Sequence, residues 1–329
     1  MSLIKVGVLR GGPSSEYDVS LKTGKRIIDI LNHPDLASVY KPIDIFIDKK
    51  NVWHVDGAPQ GPYDALKKVD IVFNALHGEY GEDGKIQHLI EAFAIPFTGS
   101  RALTSSMSMN KSLAKEQFKI HGIKTPYHKE FSFDKTESLD KTALDVFRTF
   151  PMPVIVKPRG LGSSIGVSYA SNVQELVAAL DHARLFSSDI IVEEYITGKE
   201  IISGIIDDFR GVHPYTLMPV EVEYTDKKAK FVDWASKQSG QVTYRAPARL
   251  TDDEKKTIKE SLEKIHKGLD LRHYATADFI VSPKRGVYLL EINTQPGLGA
   301  KTPFMQSLEA AGIREHEFVA HIIKLALGE

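Results

Sequence analysis

Short apolar runs that end in glycine-rich loops set the pattern of the first hundred residues. Ile4-Lys5-Val6-Gly7-Val8-Leu9 reads as a buried strand that runs into the turn-rich Arg10-Gly11-Gly12-Pro13-Ser14-Ser15. A helix should follow from near Ser15 or Ser20, with Ile27, Ile28, Ile30 and Leu31 on one face. Residues 41–47 give a second strand, and Asp70-Ile71-Val72-Phe73-Asn74-Ala75-Leu76 a third, again ending in a glycine-rich loop. Strands alternating with helices predict a parallel sheet with right-handed crossovers, whose ligands bind beyond the carboxyl ends of the strands. Further on, residues 104–121 read as one helix, stopped by Gly122-Ile123-Lys124-Thr125-Pro126. Strands are expected at 151–157 and 190–195, with a helix at 173–185 between them. Residues 251–269 form a charged amphipathic helix capped by Thr251. Residues 275–281 and 287–293 flank Ser282-Pro283-Lys284-Arg285-Gly286 as a hairpin. The stretch 221–240 is polar and poorly periodic, which suits a mobile loop.

A chain of 329 residues exceeds what one hydrophobic core supports, so two or three domains are expected. Its 42 basic and 43 acidic residues nearly cancel, which argues against nucleic acid or a membrane surface as partner. No apolar run is long enough to span a bilayer, and the first ten residues lack a signal-peptide pattern. With no cysteine, thiolate metal sites, disulfides and a cysteine nucleophile are excluded, and a cytoplasmic setting fits.

Three stretches carry chemistry. If the hairpin turn centres between Lys284 and Arg285, Asp278 stands opposite Glu291, and Asn293 shares a face with Glu291. Three oxygen ligands then converge in an otherwise apolar strand pair, which suits magnesium. Val154-Ile155-Val156-Lys157-Pro158, followed by Gly160-Leu161-Gly162-Ser163-Ser164-Ile165-Gly166, puts a lysine beside a loop able to cradle phosphates. By itself that loop reads equally well as a surface hairpin, and it is not the Walker A pattern. Val192-Glu193-Glu194-Tyr195-Ile196 through Glu200 suits an adenine edge and a ribose, although an edge strand leading to a turn fits this stretch as well. His33, His54, His213 and His266 have no partner at ligand spacing and read as surface or loop histidines. Trp53, Trp234, Phe131, Phe133, Phe147 and Phe150 read as packing residues.

Together these stretches resemble the ATP-grasp ligases, and within them the D-alanine–D-alanine ligases. Gly11-Gly12-Pro13-Ser14-Ser15-Glu16-Tyr17-Asp18-Val19-Ser20 is similar to the first loop of that family, and His77-Gly78-Glu79-Tyr80-Gly81-Glu82-Asp83-Gly84 to the second. Met109-Asn110-Lys111 with Lys115, Val156-Lys157-Pro158, Gly162 to Val167, Pro247-Ala248 and Glu291-Ile292-Asn293-Thr294-Gln295-Pro296-Gly297 continue it in order. The resemblance covers nearly the whole chain. It implies an α/β (α+β) ATP-grasp fold with a Rossmann-like domain over 1–100, a central subdomain over 101–186 and a C-terminal subdomain over 187–329. It implies an ATP-dependent, ADP-forming ligase making D-alanyl-D-alanine or a close relative for peptidoglycan precursors, working as a cytoplasmic homodimer. Lys111 and Lys157 would contact the ATP phosphates, Glu193 and Ile196 the adenine, and Glu200 the ribose. Asp278, Glu291 and Asn293 would bind two magnesium ions, with manganese an alternative. Glu16 would hold the ammonium of the first D-amino acid, with His77 and Ser163 nearby. Gly297 would offer its N–H to the tetrahedral intermediate, and Thr302 would face the carboxylate of the second substrate. Residues 221–245 would form a lid, with Lys237 reaching the transferred phosphate.

Three departures stand out. The family carries an arginine two residues before its first metal ligand, where this chain has Thr276. Gln238 stands where the lid often has a tyrosine, Lys301 where a histidine is frequent, and Arg245 just before Pro247-Ala248. The expectation is an intact ATP half and an altered second-substrate half, with weak or non-standard dipeptide synthesis. Arg245 or Lys301 is the candidate replacement for the missing charge. A nucleotide-binding protein that has lost ligation and works as a regulator is the rival reading.

Overall fold

The structure is a computed structural model that describes residues 2–133, 138–225 and 242–329. Lys237, Gln238 and Trp234 lie outside the described residues.

The first sheet is built on β1 (Ile4–Gly11), whose Val6, Val8 and Leu9 are fully buried. It is followed by α1 (Tyr17–Leu31), β2 (Tyr40–Ile47), β3 (Trp53–Val55), β4 (Ala58–Gln60), α2 (Pro62–Leu66), β5 (Ile71–Asn74) and α3 (Lys85–Ala92). β1 pairs in parallel with β2 and β5, as the alternation of strands and helices requires. The hairpin β3–β4 extends this sheet antiparallel and was not legible in the sequence. The β1–α1 and β5–α3 loops both leave the carboxyl edge of the sheet. Ser20 ties them together: its hydroxyl accepts from Gly11 N–H and donates to Ala75 O, both at 2.8 Å. Gly11 has φ +93°, and a Cβ there would lie 2.2 Å from Ile47 O, so only glycine fits.

The expected helix over 104–121 is two helices, α4 (Ala102–Met109) and α5 (Lys111–Ile120). Asn110 divides them because its side chain caps α5, accepting from Ser112 N–H and Leu113 N–H at 3.2 Å. Then come β6 (His128–Ser132), α6 (Leu139–Thr149), β7 (Val154–Pro158), β8 (Ser168–Ala170), α7 (Val173–Arg184) and β9 (Asp189–Glu194). They form an antiparallel sheet in the order β6-β9-β7-β8, so this sheet reaches past residue 187. α6 and α7 cover one face, burying Val146, Val154, Val156, Leu176, Leu180 and Val192. Phe133 and Phe150 fill that core, but Phe147 stands 41% exposed on the outer side of α6, contrary to expectation.

The third sheet contains β10 (Lys199–Ile206), β11 (Tyr215–Thr216), β12 (Val220–Tyr224), β13 (Val242–Arg245), β14 (Tyr274–Ser282) and β15 (Gly286–Asn293). Its order is β13-β12-β10-β14-β15, all antiparallel, with β11 also on β10. α8 (Asp252–Gly268) opens with a capping box between Thr251 and Glu254. It packs Ile258, Leu262 and Ile265 against Ile201, Ala277, Phe279 and Leu289 on one face of the sheet. The other face carries Glu200, Asp278 and Ile280 and borders a cavity shared with the middle sheet. The chain ends in α9 (Pro303–Ala310) and α10 (Glu315–Leu327). α10 returns to the first sheet: Phe318, Val319 and Ile322 pack with Val6, Val8, Ile27 and Phe73.

Candidate active site

The β14–β15 hairpin places its oxygen ligands by a register change. Near the turn, Ser282 pairs with Gly286 and Phe279 with Leu289, which centres the turn on Lys284. Continued unbroken, that register would set Asp278 against Leu290. A bulge between Asp278 and Phe279 shifts the pairing by one residue, so Asp278 stands opposite Glu291 and Thr276 opposite Asn293. The three ligand candidates therefore face one space, from which two cavities open.

The first cavity, of about 360 Å³, lies between the middle and third sheets. Apolar groups line it, among them Ile155, Ile165, Val167, Ile196, Ile280 and Leu290, together with Tyr195 and Tyr224. At its base sits a buried triad. Glu193 lies 2.9 Å from Lys157 Nζ and 3.2 Å from Lys115 Nζ, and Lys115 also donates to Thr125 Oγ1 at 2.9 Å. Burial pushes Glu193 up, but the two ammonium groups outweigh it and hold its pKa below the usual carboxylate value. Burial lowers Lys115 to about 8 despite Glu193. Burial also opposes the Lys157 ammonium, yet Glu193, Glu291 and Asp278 together raise its pKa. Two lysines on one glutamate leave an excess positive charge in a place of low dielectric, which suits a polyphosphate. The Glu193 carboxylate is thus engaged by lysines, and the apolar surface for a base comes from its neighbours, Tyr195 and Ile196. Glu200 accepts from Tyr224 OH at 2.6 Å, and burial together with Glu200 raises the Tyr224 phenol, keeping it protonated. Glu194 points elsewhere, paired with Arg285 of the hairpin turn at 2.8 Å.

Lys111 closes this cavity against the glycine-rich loop. Its Nζ donates to Leu161 O at 2.5 Å and lies 3.5 Å from Glu291 Oε2. Within the loop, Ser163 and Ser164 have φ +51° and +58°, a left-handed pair that costs energy for non-glycine residues. That conformation aims Ser163 Oγ at Glu16 Oε2, to which it donates at 2.7 Å.

The second cavity, of about 250 Å³, begins there. Glu16 is the residue before α1, and its side chain does not cap the helix but faces this space. Burial raises its pKa, and Glu82 adds to the rise; the Ser163 hydroxyl and His77 pull it back down. His77 is 3% exposed, held between Thr23 Oγ1 at 3.0 Å and Glu82 Oε1 at 3.2 Å. Gly78, at φ +70°, permits this approach, since a Cβ would sit 2.7 Å from Ser14 Oγ. Thr276, Asn293, Gly297, Thr302 and Phe304 line the opposite wall. Thr302 Oγ1 lies 2.7 Å from Gly297 O and 2.9 Å from Gly299 O, to which its hydroxyl donates, so it fixes the loop before α9. The two cavities share Lys111, Gly162, Asp278 and Glu291. Any group at that junction touches both.

Among the described lining residues of the second cavity, Lys111 is the single lysine or arginine, against Glu16, Glu82, Asp278 and Glu291. Neither candidate replacement for the missing arginine serves. Arg245 pairs in register with Glu221, and through it with Ile201 and Phe279, on the sheet face opposite Thr276. There it is bound to Glu223 at 2.7 Å. Lys301 is exposed in the turn before α9 and lines neither cavity.

The family model described as "D-ala D-ala ligase C-terminus" matches residues 118–324, and "D-ala D-ala ligase N-terminus" matches residues 56–100. The chain is 33% identical over 328 residues to the D-alanine--D-alanine ligase of Carboxydothermus hydrogenoformans, covering 98% of each. It is 35% identical over 321 residues to that of Geobacter sulfurreducens, covering 97% of this chain and 93% of the relative. The chain belongs to the D-alanine–D-alanine ligase family. Its fold matches the Bacillus anthracis D-alanine--D-alanine ligase complexed with ATP, at a TM-score of 0.76 and 26% identity over 99% of this chain and 97% of that one. Like that relative it is an ATP-grasp carboxylate–amine ligase in fold and class.

Several residues quoted within the family motifs had been given no role from the sequence. Glu82 orients His77, Lys115 completes the triad, and Gln295 Nε2 donates to Asn74 O, joining the third sheet to the first. Lys115 had a signal in its spacing from Lys111, one helical turn away on the same face. The histidines were misread in part: His266 is 5% exposed and lies 2.8 Å from Asp207, and His33 stacks on His316. No helix among the described residues is long and apolar enough to cross a membrane.

Proposed function

We propose that this ligase joins D-alanine to a second D-amino acid, D-alanine first among them, and serves peptidoglycan precursor synthesis. ATP would lie in the apolar cavity with its phosphates on Lys157 and Lys111, and Glu200 would meet the ribose. D-alanine would lie in the second cavity with its ammonium on Glu16. The reading rests on one observation: the two cavities meet at Lys111, Gly162, Asp278 and Glu291. The carboxylate of the first amino acid is then within reach of the γ-phosphate. One carboxylate oxygen attacks phosphorus and ADP leaves, giving an acyl-phosphate. The amine of the second substrate attacks the carbonyl carbon, phosphate leaves, and the amine releases its proton. Gly297 N–H would face the developing oxyanion.

Asp278, Glu291 and Asn293 offer the all-oxygen donor set that magnesium prefers, in a cavity where carboxylates outnumber cations. Magnesium or manganese bound there would neutralise phosphate charge and orient the γ-phosphate. The lid residues 221–245, with Lys237, would exclude water from the acyl-phosphate. A homodimer in the cytoplasm suits the reading.

Thr276 modifies it. A threonine cannot replace a guanidinium fork at a developing oxyanion, and neither Arg245 nor Lys301 reaches the place. Slow or acceptor-shifted synthesis follows. ADP release with D-alanine, screened against D-amino and D-hydroxy acids as acceptors, tests both points. Turnover with any acceptor supports ligation. Tight Mg-ATP binding without turnover on all of them would instead support a regulator, a reading that the ligase names of the relatives and the assembled phosphate-binding triad do not favour.

A further inference from the structure

Three side chains outside both cavities converge without any role in ligation. His33 and Asp35 stand in the turn after α1, and His316 in the first turn of α10. His33 Nδ1 lies 3.7 Å from Asp35 Oδ2, His316 Nε2 lies 3.2 Å from the same oxygen, and one ligand atom from each falls within 4.8 Å of the other two. The imidazoles stack, with centroids 4.7 Å apart and planes 8° apart, so the half-exposed His33 ring must turn for both to aim a nitrogen at one ion. Asp35 N–H donates only weakly to His33 Nδ1 at 3.3 Å, a long bond that a metal on that nitrogen would displace. His316 Nε2 is closed to solvent yet makes no hydrogen bond, although the carboxylate is near: its direction is wrong for one. Such a buried ring nitrogen calls for a partner.

We propose that His33, Asp35 and His316 form a transition-metal site, with zinc the first candidate, that clips the turn after α1 to the final helix. Ligands of a tetrahedral zinc at about 2.0–2.1 Å lie roughly 3.3 Å from one another, close to the two separations to Asp35, and the two imidazole nitrogens, now within 4.8 Å, would draw together on binding. Two imidazoles and one carboxylate suit zinc, cobalt, nickel or copper and not magnesium, so the ATP site and this site select different ions. The exposed sides of His33 and Asp35 leave the fourth position to water. The scaffold is already fixed. Arg26 is paired with Glu315 across α1 and α10, and Leu36 N–H and Ala37 N–H hold His33 O at 2.8 and 2.9 Å. A metal here would join the first sheet's helix to the helix that returns from the far end of the chain.

Zinc titration by calorimetry on the full chain, with magnesium in excess, tests the site. The expected result is one strongly bound zinc per chain and a rise in Tm of about 3 °C. Both should be absent in His316→Ala and in Asp35→Asn, while zinc-free ligase activity stays unchanged, because these residues line neither cavity. Cobalt should give the intense visible band of tetrahedral coordination. The proposal is overturned if no saturable zinc uptake occurs, or if uptake survives in both variants. Should a variant fail to fold, the wild-type cobalt spectrum decides: a weak octahedral band rejects the site.

Discussion

The two halves of the active site are built on opposite principles. The half proposed for ATP is charged at its base and finished: Glu193 is paired with both Lys115 and Lys157, and all three are buried before any ligand arrives. The half proposed for the amino acids sets loops of the first sheet against strands β14 and β15 of the third, and carries four carboxylates against one lysine among its described lining residues. The difference teaches where substitution is tolerated. A buried ion-pair network punishes the loss of any member, whereas the loops that enter the amino-acid half can change their chemistry without unfolding the protein.

The largest expected effect tests the finished half. Glu193→Gln leaves two ammonium groups buried without their directly paired carboxylate and should cost about 3–5 kcal/mol of stability in urea denaturation. A loss below about 1 kcal/mol would mean that the triad is not the base of the fold's ATP half. On the other side, Thr276→Arg should raise dipeptide formation by about 10²–10³-fold, roughly 3 kcal/mol of transition-state stabilisation, with Mg-ATP affinity unchanged. No gain in that variant would show that this enzyme handles the oxyanion by other means.

The contact of Gly99 with the start of β14 has its own pH dependence. His273 precedes β14, accepts from Gly99 N–H at 3.0 Å, and donates from its backbone to Asp207 at 2.5 Å. Burial, with Arg272 beside it, lowers its pKa from 6.5 to about 4. The folded protein therefore holds this imidazole neutral while the unfolded chain protonates near 6.5. Its stability contribution is present above 6.5 and lost as pH falls toward 4, a difference of about 3 kcal/mol. Urea denaturation at stepped pH should show this slope, and His273→Gln should flatten it.

Smaller effects separate the halves further. Ser163→Ala removes the hydroxyl that holds Glu16 down. The KM for D-alanine should rise by about tenfold, from a charge-assisted bond worth about 1.5 kcal/mol, and the acid limb of the rate profile should move to higher pH. The KM for ATP should not change. Conversely, loss of the Lys115 proton above about 8 should raise the KM for ATP severalfold and leave that for D-alanine alone.

Much of this was readable from the sequence because the fold writes its site into local patterns. Glycine-rich loops after apolar strands marked the edge where ligands bind, the resemblance to the ligase family picked out Glu16 and His77 within them, and alternation in the hairpin located Asp278, Glu291 and Asn293. The hairpin was read correctly for a partly wrong reason: the turn centres on Lys284, and the bulge restores the expected pairing. Bulges depend on tertiary strain and leave no signal in alternation. The hairpin β3–β4 has strands of three residues each, too short to show a period. Arg245 was a candidate because it stands just before Pro247-Ala248, and only strand register shows that it faces away from Thr276. His266 and His33 looked isolated because Asp207 and His316 are distant in sequence.

The junction of the two cavities makes one chemical commitment, that the oxygen joining phosphorus to carbon comes from the first amino acid. D-alanine labelled with ¹⁸O in its carboxylate, turned over with ATP, reports on it directly. One labelled oxygen should appear in each phosphate released. Phosphate that carries oxygen only from ATP and water would contradict the acyl-phosphate route and the shared site that supports it.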